Sequence, residues 1–341
     1  MAEAAAIFDR LPPVAEEGVV ATDLAQRIEQ ADRPFVMRGI AADWPLVRAG
    51  LDSGQVARDY LVARARDRKF PVNIGQPGAG ERLFYNAEMG MNFQMANGPL
   101  DAILGGISAN EDKPDAPLIY LGSIDMGDYF EGLREANTLP LGERKAIESI
   151  WIGTRTRIAA HNDMPNNVAV CAVGRRRFTI FPPDQFANLY PGPIDNTPAG
   201  RPVSMVDLHA PDFEKFPRFR DALETAQVAM LEPGDAVFIP SMWWHHVEGL
   251  SPFNILVNFW FSDAPSYLGK PEDALNHAIL AIRDLPPSQK EVLKAMFDFY
   301  VFGDTDGSAA HIPEGARGIH GTLTPENAGR IRAHLLRALS Q

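Results

Sequence analysis

The stretch VAMLEPGDAVFIPSMWWHHVE, residues 228–248, decides the fold, because it reads as two strands joined by a tight turn and followed by a third strand. Apolar residues fill 228–231 and 236–239, and the turn residues EPGD separate them. Further out, similar short runs bounded by glycine or proline occur at 118–121, 149–160, 168–173, 176–181 and 254–261. Many short strands without intervening helices favour an antiparallel barrel or sandwich, so we predict a mostly β protein with flanking helices.

The chain divides into three zones. Residues 1–115 mix helix and strand signals, and we expect them to decorate the strand-rich core formed by residues 116–262. Residues 263–341 are predicted to be helical, since their apolar residues recur at helical spacing. A proline-rich loop at 182–211 interrupts the strand series, and loops of this length are usually functional lids or mobile segments.

Composition and charge exclude several classes of protein. Hydrophobic residues make up 45% and charged residues 22% of the 341 residues, which excludes a wholly disordered chain. The net charge of −12, from 32 basic and 44 acidic residues, argues against bulk electrostatic binding to nucleic acid or an anionic membrane. The single cysteine, Cys171, cannot form an internal disulfide, and Glu3 and Asp9 interrupt any signal-peptide core. We therefore expect a soluble cytoplasmic protein without a membrane segment.

Two histidine motifs are candidates for metal binding. In His161-Asn-Asp163 the first and third side chains would project to the same face of a strand, where one metal ion could bind both. A histidine of the pair His245-His246 would complete a two-histidine, one-carboxylate set, which holds Fe(II) and leaves the opposite positions open. Only one of this pair can face the interior, and spacing does not choose between them. The alternative is that all are packing or surface histidines.

The run Arg175-Arg-Arg177 is a candidate anion site. Strand alternation places Arg175 and Arg177 on one face and Arg176 on the other, together with Phe178 and Ile180. A charge run is most often a solvated face. An arginine on an apolar inward face, however, needs a counter-ion, and a dicarboxylate ligand would provide one.

Several motifs together resemble the JmjC/cupin-like 2-oxoglutarate oxygenases, and the factor-inhibiting-HIF asparaginyl hydroxylase group in particular. HNDMPNN at 161–167, GRRRFTIFPPDQFANLYPGP at 174–193 and EPGDAVFIPSMWWHH at 232–246 carry the resemblance. VNFW at 257–260 extends it, and the N-terminal PFVMRG and DWP segments fit the same pattern. The resemblance spans roughly residues 30–262 in order, and it implies a double-stranded β-helix, or jelly-roll, core for residues 116–262.

The resemblance implies a function and a metal site. The protein would be a 2-oxoglutarate-dependent dioxygenase that uses Fe(II), 2-oxoglutarate and O2 to hydroxylate its substrate, with succinate and CO2 as co-products. The iron ligands, which are also the catalytic residues, would be His161, Asp163 and His245, and His246 would not be a ligand.

The resemblance also implies a cosubstrate site. Tyr120, Asn167 and Asn258 fall where the family makes polar contacts to the 2-oxoglutarate carboxylates. Arg176 replaces a family lysine that anchors the distal carboxylate, and Ile158 stands where the family often has a threonine. Trp260 is either a wall of the substrate cleft or a core residue.

The sequence and the resemblance give broader expectations for the substrate and the partners of the protein. The substrate would be a protein or peptide side chain or a small molecule. Because residues 288–302 are more apolar than packing of one face requires, and related hydroxylases dimerise through helices after the barrel, we predict a homodimer through the C-terminal helices. The alternatives to the oxygenase are a cupin metalloenzyme that does not use 2-oxoglutarate and a non-catalytic cupin module for binding or regulation.

Overall fold

The computed structural model, which describes residues 7–76, 79–113, 116–198 and 200–340, contains thirteen strands in that part of the chain. The strands are β1 Phe35–Met37, β2 Phe70–Gly75, β3 Arg82–Leu83, β4 Phe93–Gly98, β5 Ile119–Asp125, β6 Ile147–Gly153, β7 Thr156–Asn162, β8 Asn166–Val173, β9 Arg176–Phe181, β10 Gln227–Leu231, β11 Ala236–Ile239, β12 Trp244–Gly249 and β13 Asn254–Phe261. The predicted strand at 149–160 is therefore two strands, because a turn at residues 154–155 separates β6 from β7.

The strands form two sheets that pack face to face. One sheet has eight strands in the order β1-β11-β8-β13-β6-β5-β2-β4, and the other has five in the order β10-β9-β12-β7-β3. Every pairing between these strands is antiparallel except that of β3 with β7. The predicted mostly β class is confirmed, and the described strands form two facing sheets rather than one closed barrel.

Side-chain alternation on β8 divides the core between the two faces of the larger sheet. Val168, Val170 and Ala172 face outward into an apolar layer shared with the N-terminal helices. Ala169 and Cys171 face inward and pack against the smaller sheet. The inner space between the sheets is where polar groups could be held away from bulk water.

The helices flank the sheets. In the first compact unit, which ends at Ser262, they are α1 Leu24–Glu29 after the 3-10 turn Ala21–Asp23, α2 Pro45–Asp52, α3 Gly54–Val62, α4 Leu100–Ser108, α5 Met126–Tyr129, α6 Leu133–Ala136 and α7 Phe219–Thr225, together with the 3-10 segment Pro183–Leu189. Before residue 115, β1, β2 and β4 belong to the eight-stranded sheet and β3 belongs to the five-stranded sheet, so the N-terminal zone and the core share one unit.

The second compact unit, Asp263–Gln341, is helical in its described part. It contains α8 Pro271–Ile282, α9 Pro287–Phe297 with the π-helical continuation Asp298–Phe302, α10 Thr305–Ala309, the 3-10 turns Glu314–Ala316 and Gly318–His320, and α11 Pro325–Leu339. A capping box between Thr324 and Asn327 starts α11. Every described helix of the chain is too short or too polar to traverse a lipid bilayer.

Candidate active site

Two neighbouring strands of the smaller sheet bring a carboxylate and two imidazoles together. His161 on β7 lies directly opposite His245 on β12, and their ring centroids are 4.4 Å apart. Asp163 follows the end of β7, and its Oδ2 lies 3.7 Å from His245 Nε2. One ligand atom from each of the three residues lies within 4.8 Å of the others. The arrangement therefore matches the size of a single metal site.

Backbone carbonyls orient both imidazoles. Nδ1 of His161 lies 2.9 Å from the carbonyl oxygen of Ala159, and Nδ1 of His245 lies 3.1 Å from that of Trp243. Because these nitrogens donate to carbonyls, Nε2 of each ring keeps its lone pair for a ligand. Burial and, to a lesser extent, nearby His161 together lower the pKa of His245 to about 4, so His245 is neutral near pH 7.

The three residues open onto a cavity of about 320 Å³ between the two sheets. Tyr120, Asn167, Arg176 and Asn258, for which the family resemblance implies cosubstrate contacts, all line this cavity. Ile158 and Trp260 line it as well. The structure thus brings the three candidate metal ligands and the four candidate cosubstrate contacts into one space.

Arg176 is a buried cation facing this space. It is 1% exposed, and strand alternation places it on the inner face of β9 with Phe178. Among the residues that the structure describes, none forms a hydrogen bond with its Nε or Nη2 atom, and no carboxylate pairs with it. Burial lowers the pKa of Arg176 and raises that of neighbouring Tyr120 to about 12, so Tyr120 remains a neutral hydroxyl. A buried charge of this kind requires an anionic partner.

The remaining polar groups of the cavity are partly satisfied. Asn258 Nδ2 donates to Asn167 Oδ1 at 2.8 Å, whereas Asn258 Oδ1 accepts no hydrogen bond from the described residues. Trp151 and Trp260 meet edge to face with ring centroids 5.7 Å apart. The cavity therefore offers a free amide oxygen beside an aromatic wall.

The sequence did not identify the residues that the long loop contributes. Pro198 and Val203 of the loop line the cavity, and Arg201 Nε donates to the carbonyl oxygen of Asn162 at 2.9 Å. The Ser204 N–H donates to the carbonyl oxygen of Ala160 at 2.7 Å. The loop is thus a wall of the site, and its position depends on tertiary contacts that no local pattern reveals.

A second cluster, formed by His209, His246 and Glu248, lies on the opposite face of β12. The carboxylate of Glu248 accepts two hydrogen bonds from Arg177, at 2.5 and 2.8 Å, and its Oε1 lies 2.6 Å from His209 Nε2. Burial acts to raise the pKa of Glu248, but these hydrogen bonds outweigh it and lower the pKa to about 2. Because the arginine already neutralises the carboxylate, we interpret this cluster as an attachment between the segment around His209 and the sheet.

Two facing antiparallel sheets with a two-histidine, one-carboxylate cluster in the cavity between them define a cupin-type protein. The model of the Cupin-like domain family matches residues 21–267, and the chain belongs to this family.

Its curated relatives include lysine-specific demethylases. Lysine-specific demethylase JMJ31 of Arabidopsis thaliana is 33% identical over 275 residues, which cover 72% of this chain and 49% of that protein. Lysine-specific demethylase 8 of Xenopus tropicalis is 27% identical over 241 residues, covering 67% and 48%. Human HSPB1-associated protein 1 is 28% identical over 158 residues, covering 46% and 32%. The chain thus spans about a third to a half of the length of these relatives.

Proposed function

We propose that this protein is an Fe(II)- and 2-oxoglutarate-dependent oxygenase that hydroxylates a protein or peptide side chain or a small molecule. The observation that carries the proposal is the presence, in one cavity, of the His161–Asp163–His245 cluster and of the Arg176 cation, which pairs with no carboxylate among the described residues. The first is a donor set typical of non-haem iron, and the second is a site for an anion. The demethylase names among the relatives agree with this class of chemistry, since hydroxylation of an N-methyl group begins oxidative demethylation.

The metal ligands fit Fe(II) in their chemistry. Two neutral imidazoles and one carboxylate would hold the ion on one side and leave positions free for the cosubstrate and O2. Iron bound there would supply the activation of O2, while the protein would hold the ligands in place. The carbonyls of Ala159 and Trp243 perform that task for the imidazoles by fixing their tautomers.

The cosubstrate would lie between the metal ligands and Arg176. The guanidinium would form a charge-assisted pair with the distal carboxylate, and the neutral hydroxyl of Tyr120 would lie beside it. Asn167 and Asn258 would contribute amide groups to the polar contacts. The apolar side chains around them, Ile158, Phe178, Val247 and Leu256, would keep water away from the reacting groups.

Binding and turnover of 2-oxoglutarate test the proposal. We expect calorimetry with Mn(II) in place of iron to show metal-dependent binding of 2-oxoglutarate, and we expect slow release of succinate with Fe(II) without any added substrate. His245→Ala should abolish both. If the parent protein binds a metal but shows neither, it is a cupin metalloenzyme that does not use 2-oxoglutarate. If it binds no metal either, the proposal is wrong and the protein is a non-catalytic cupin module.

A further inference from the structure

Asp163 is the least supported of the three metal-binding candidates. Both imidazoles are oriented by backbone carbonyls, but among the described residues no hydrogen-bond donor reaches the Asp163 carboxylate. Its nearest charged neighbour is His245, whose Nε2 is 3.7 Å away. The side chain is also partly accessible, at 16% of its surface. The direction of this carboxylate therefore depends on how firmly its backbone is held.

A second turn holds that backbone. We name residues 163–166 the ligand turn and residues 240–243 the clamp turn. The Oγ of Ser241 donates to the carbonyl oxygen of Met164 at 2.5 Å, and the Ser241 N–H donates to Asn166 Oδ1 at 2.9 Å. The N–H of Met242 donates to the carbonyl oxygen of Asp163 itself at 2.8 Å. Three hydrogen bonds thus join the two turns, and Ser241 makes two of them.

The clamp turn has an unusual backbone and supports the other ligand strand as well. Met242 has a φ of 67°, in the left-handed region that non-glycine residues rarely occupy. This conformation aims its N–H at Asp163, and the next carbonyl, that of Trp243, accepts the hydrogen bond from His245 Nδ1. Strained residues of this kind persist where surrounding contacts over-determine them. The contacts of Ser241 are therefore part of what keeps the turn in this form.

We propose that Ser241 is a positioning residue for the metal site, which fixes the ligand turn and thereby the Asp163 carboxylate relative to His245. The proposal rests on the metal-binding part of the proposed function, and it does not depend on 2-oxoglutarate. Loss of the hydroxyl leaves the Met164 carbonyl without its partner and frees the ligand turn to move. Groups that support metal ligands in this way typically change metal affinity by about 10–100-fold when they are removed.

The test uses Co(II) alone as the probe, with no cosubstrate and no turnover. Ser241→Ala should weaken Co(II) binding about 10-fold or more and should change the visible absorption spectrum of the bound ion, because the carboxylate no longer holds one geometry. Ser241→Thr keeps the hydroxyl and should restore most of the affinity. The matched control is Ser251→Ala, since the half-buried Ser251 also makes a side-chain hydrogen bond, by accepting from the Arg175 N–H at 3.1 Å, outside the metal site.

A second variant keeps the test decisive if Ser241→Ala does not fold. Asn166→Ala removes the other acceptor of Ser241 and should also weaken Co(II) binding, whereas Asn166→Asp keeps an oxygen at that place. Parent-like affinity and spectrum in both alanine variants would overturn the proposal. Equal losses in Ser251→Ala would also overturn it, because the effect would then be one of general stability. If the parent protein binds no Co(II), the metal-binding part of the proposed function fails first.

Discussion

Arg176 offers the most direct test of the cosubstrate site at the scale of one residue. Its guanidinium is buried, and none of the carboxylates that the structure describes pairs with it, so the hydrogen bonds that it would form with a bound carboxylate are worth about 1.5–3 kcal/mol each. Arg176→Ala should therefore weaken 2-oxoglutarate binding by about one to two orders of magnitude, as measured by calorimetry, with metal affinity almost unchanged. Arg176→Lys should retain part of the affinity, since the positive charge remains and only the bidentate hydrogen bonding is lost.

The matched control for this variant is Arg175→Ala. Arg175 is exposed and pairs with Glu232 at 2.7 Å, so its loss should leave 2-oxoglutarate binding at the parent level. If Arg176→Ala bound 2-oxoglutarate with the dissociation constant of the parent protein, the cosubstrate would not bind at this end of the cavity.

The two adjacent histidines should behave differently when each is replaced. His245→Ala removes a member of the metal-binding cluster and should abolish Fe(II) binding. His246→Ala should leave Fe(II) binding largely intact, because its ring lies on the opposite face of β12, against Thr179 and Glu248. Equilibrium dialysis against Fe(II) under anaerobic conditions measures both variants. The reverse pattern would show that the metal binds on the other face of the strand.

Strand alternation predicted part of this arrangement from the sequence. It placed Arg176 on the same, apolar face as Phe178, because side chains alternate between the two faces of a strand whatever its neighbours are. It did not choose between His245 and His246, because that choice depends on which face of β12 meets the larger sheet. The resemblance to a family supplied the choice. Contributions such as Ser241 and Arg201 could not be predicted, since their partners lie far away in the chain.

At the scale of elements, the turn between β8 and β9 sets the register of the arginine run. Gly174 in this turn has a φ of +77°, and an added Cβ would lie 2.6 Å from the Phe253 carbonyl oxygen. Gly174→Ala should therefore reduce the free energy of unfolding by about 2–5 kcal/mol, from left-handed strain and overpacking together. Gly200→Ala is the control, because Gly200 has a φ of +76° but open space around it. Gly200→Ala should reduce the free energy of unfolding, measured with urea, by about 1–2 kcal/mol. An equal reduction in both variants would contradict this account.

The attachment of the His209 segment to β12 should make the protein sensitive to acid. The pKa of Glu248 in the folded protein is about 2, below its ordinary value of 4.5, so its carboxylate stabilises the fold above pH 4.5. That contribution, about 3 kcal/mol, is lost as the pH falls from about 5 towards 2. Glu248→Gln should remove it at neutral pH, and urea unfolding curves of parent and variant should converge as the pH approaches 2.

Glu232→Gln serves as the control for this pH dependence. Glu232 is exposed and pairs with exposed Arg175, so its replacement should change stability by less than about 1 kcal/mol at any pH. If the difference in the free energy of unfolding between the parent protein and Glu248→Gln did not change with pH, the variant would have lost packing rather than a charge interaction.

At the scale of the whole molecule, the helical unit carries apolar side chains that face solvent. Val292 is 62% exposed and Phe302 is 76% exposed, and they belong to a larger exposed apolar set that also includes Met296, Phe299, Tyr300 and Val301. We expect this set to be covered by a second copy of the chain, which would give a mass near 75 kDa from two chains of 37.5 kDa. Light scattering at micromolar concentration measures this mass.

A charged residue in the exposed set should dissociate such a dimer. Val292→Glu should reduce the mass towards 37.5 kDa, whereas Leu51→Glu, at a position that is 62% exposed on α2, should leave it unchanged. A monomeric mass for the parent protein would contradict the dimer.

The contacts of the long loop with β7 have a consequence for solubility. Beyond Ile158, where β3 ends its pairing, the outer edge of β7 is covered by residues 201–204 through the bonds of Arg201 and Ser204. An uncovered strand edge presents unpaired N–H and C=O groups to other chains and promotes sheet-to-sheet aggregation. Shortening the loop to widen access to the cavity would therefore leave these backbone groups of β7 unpaired, and we expect such a variant to aggregate more readily through this strand edge.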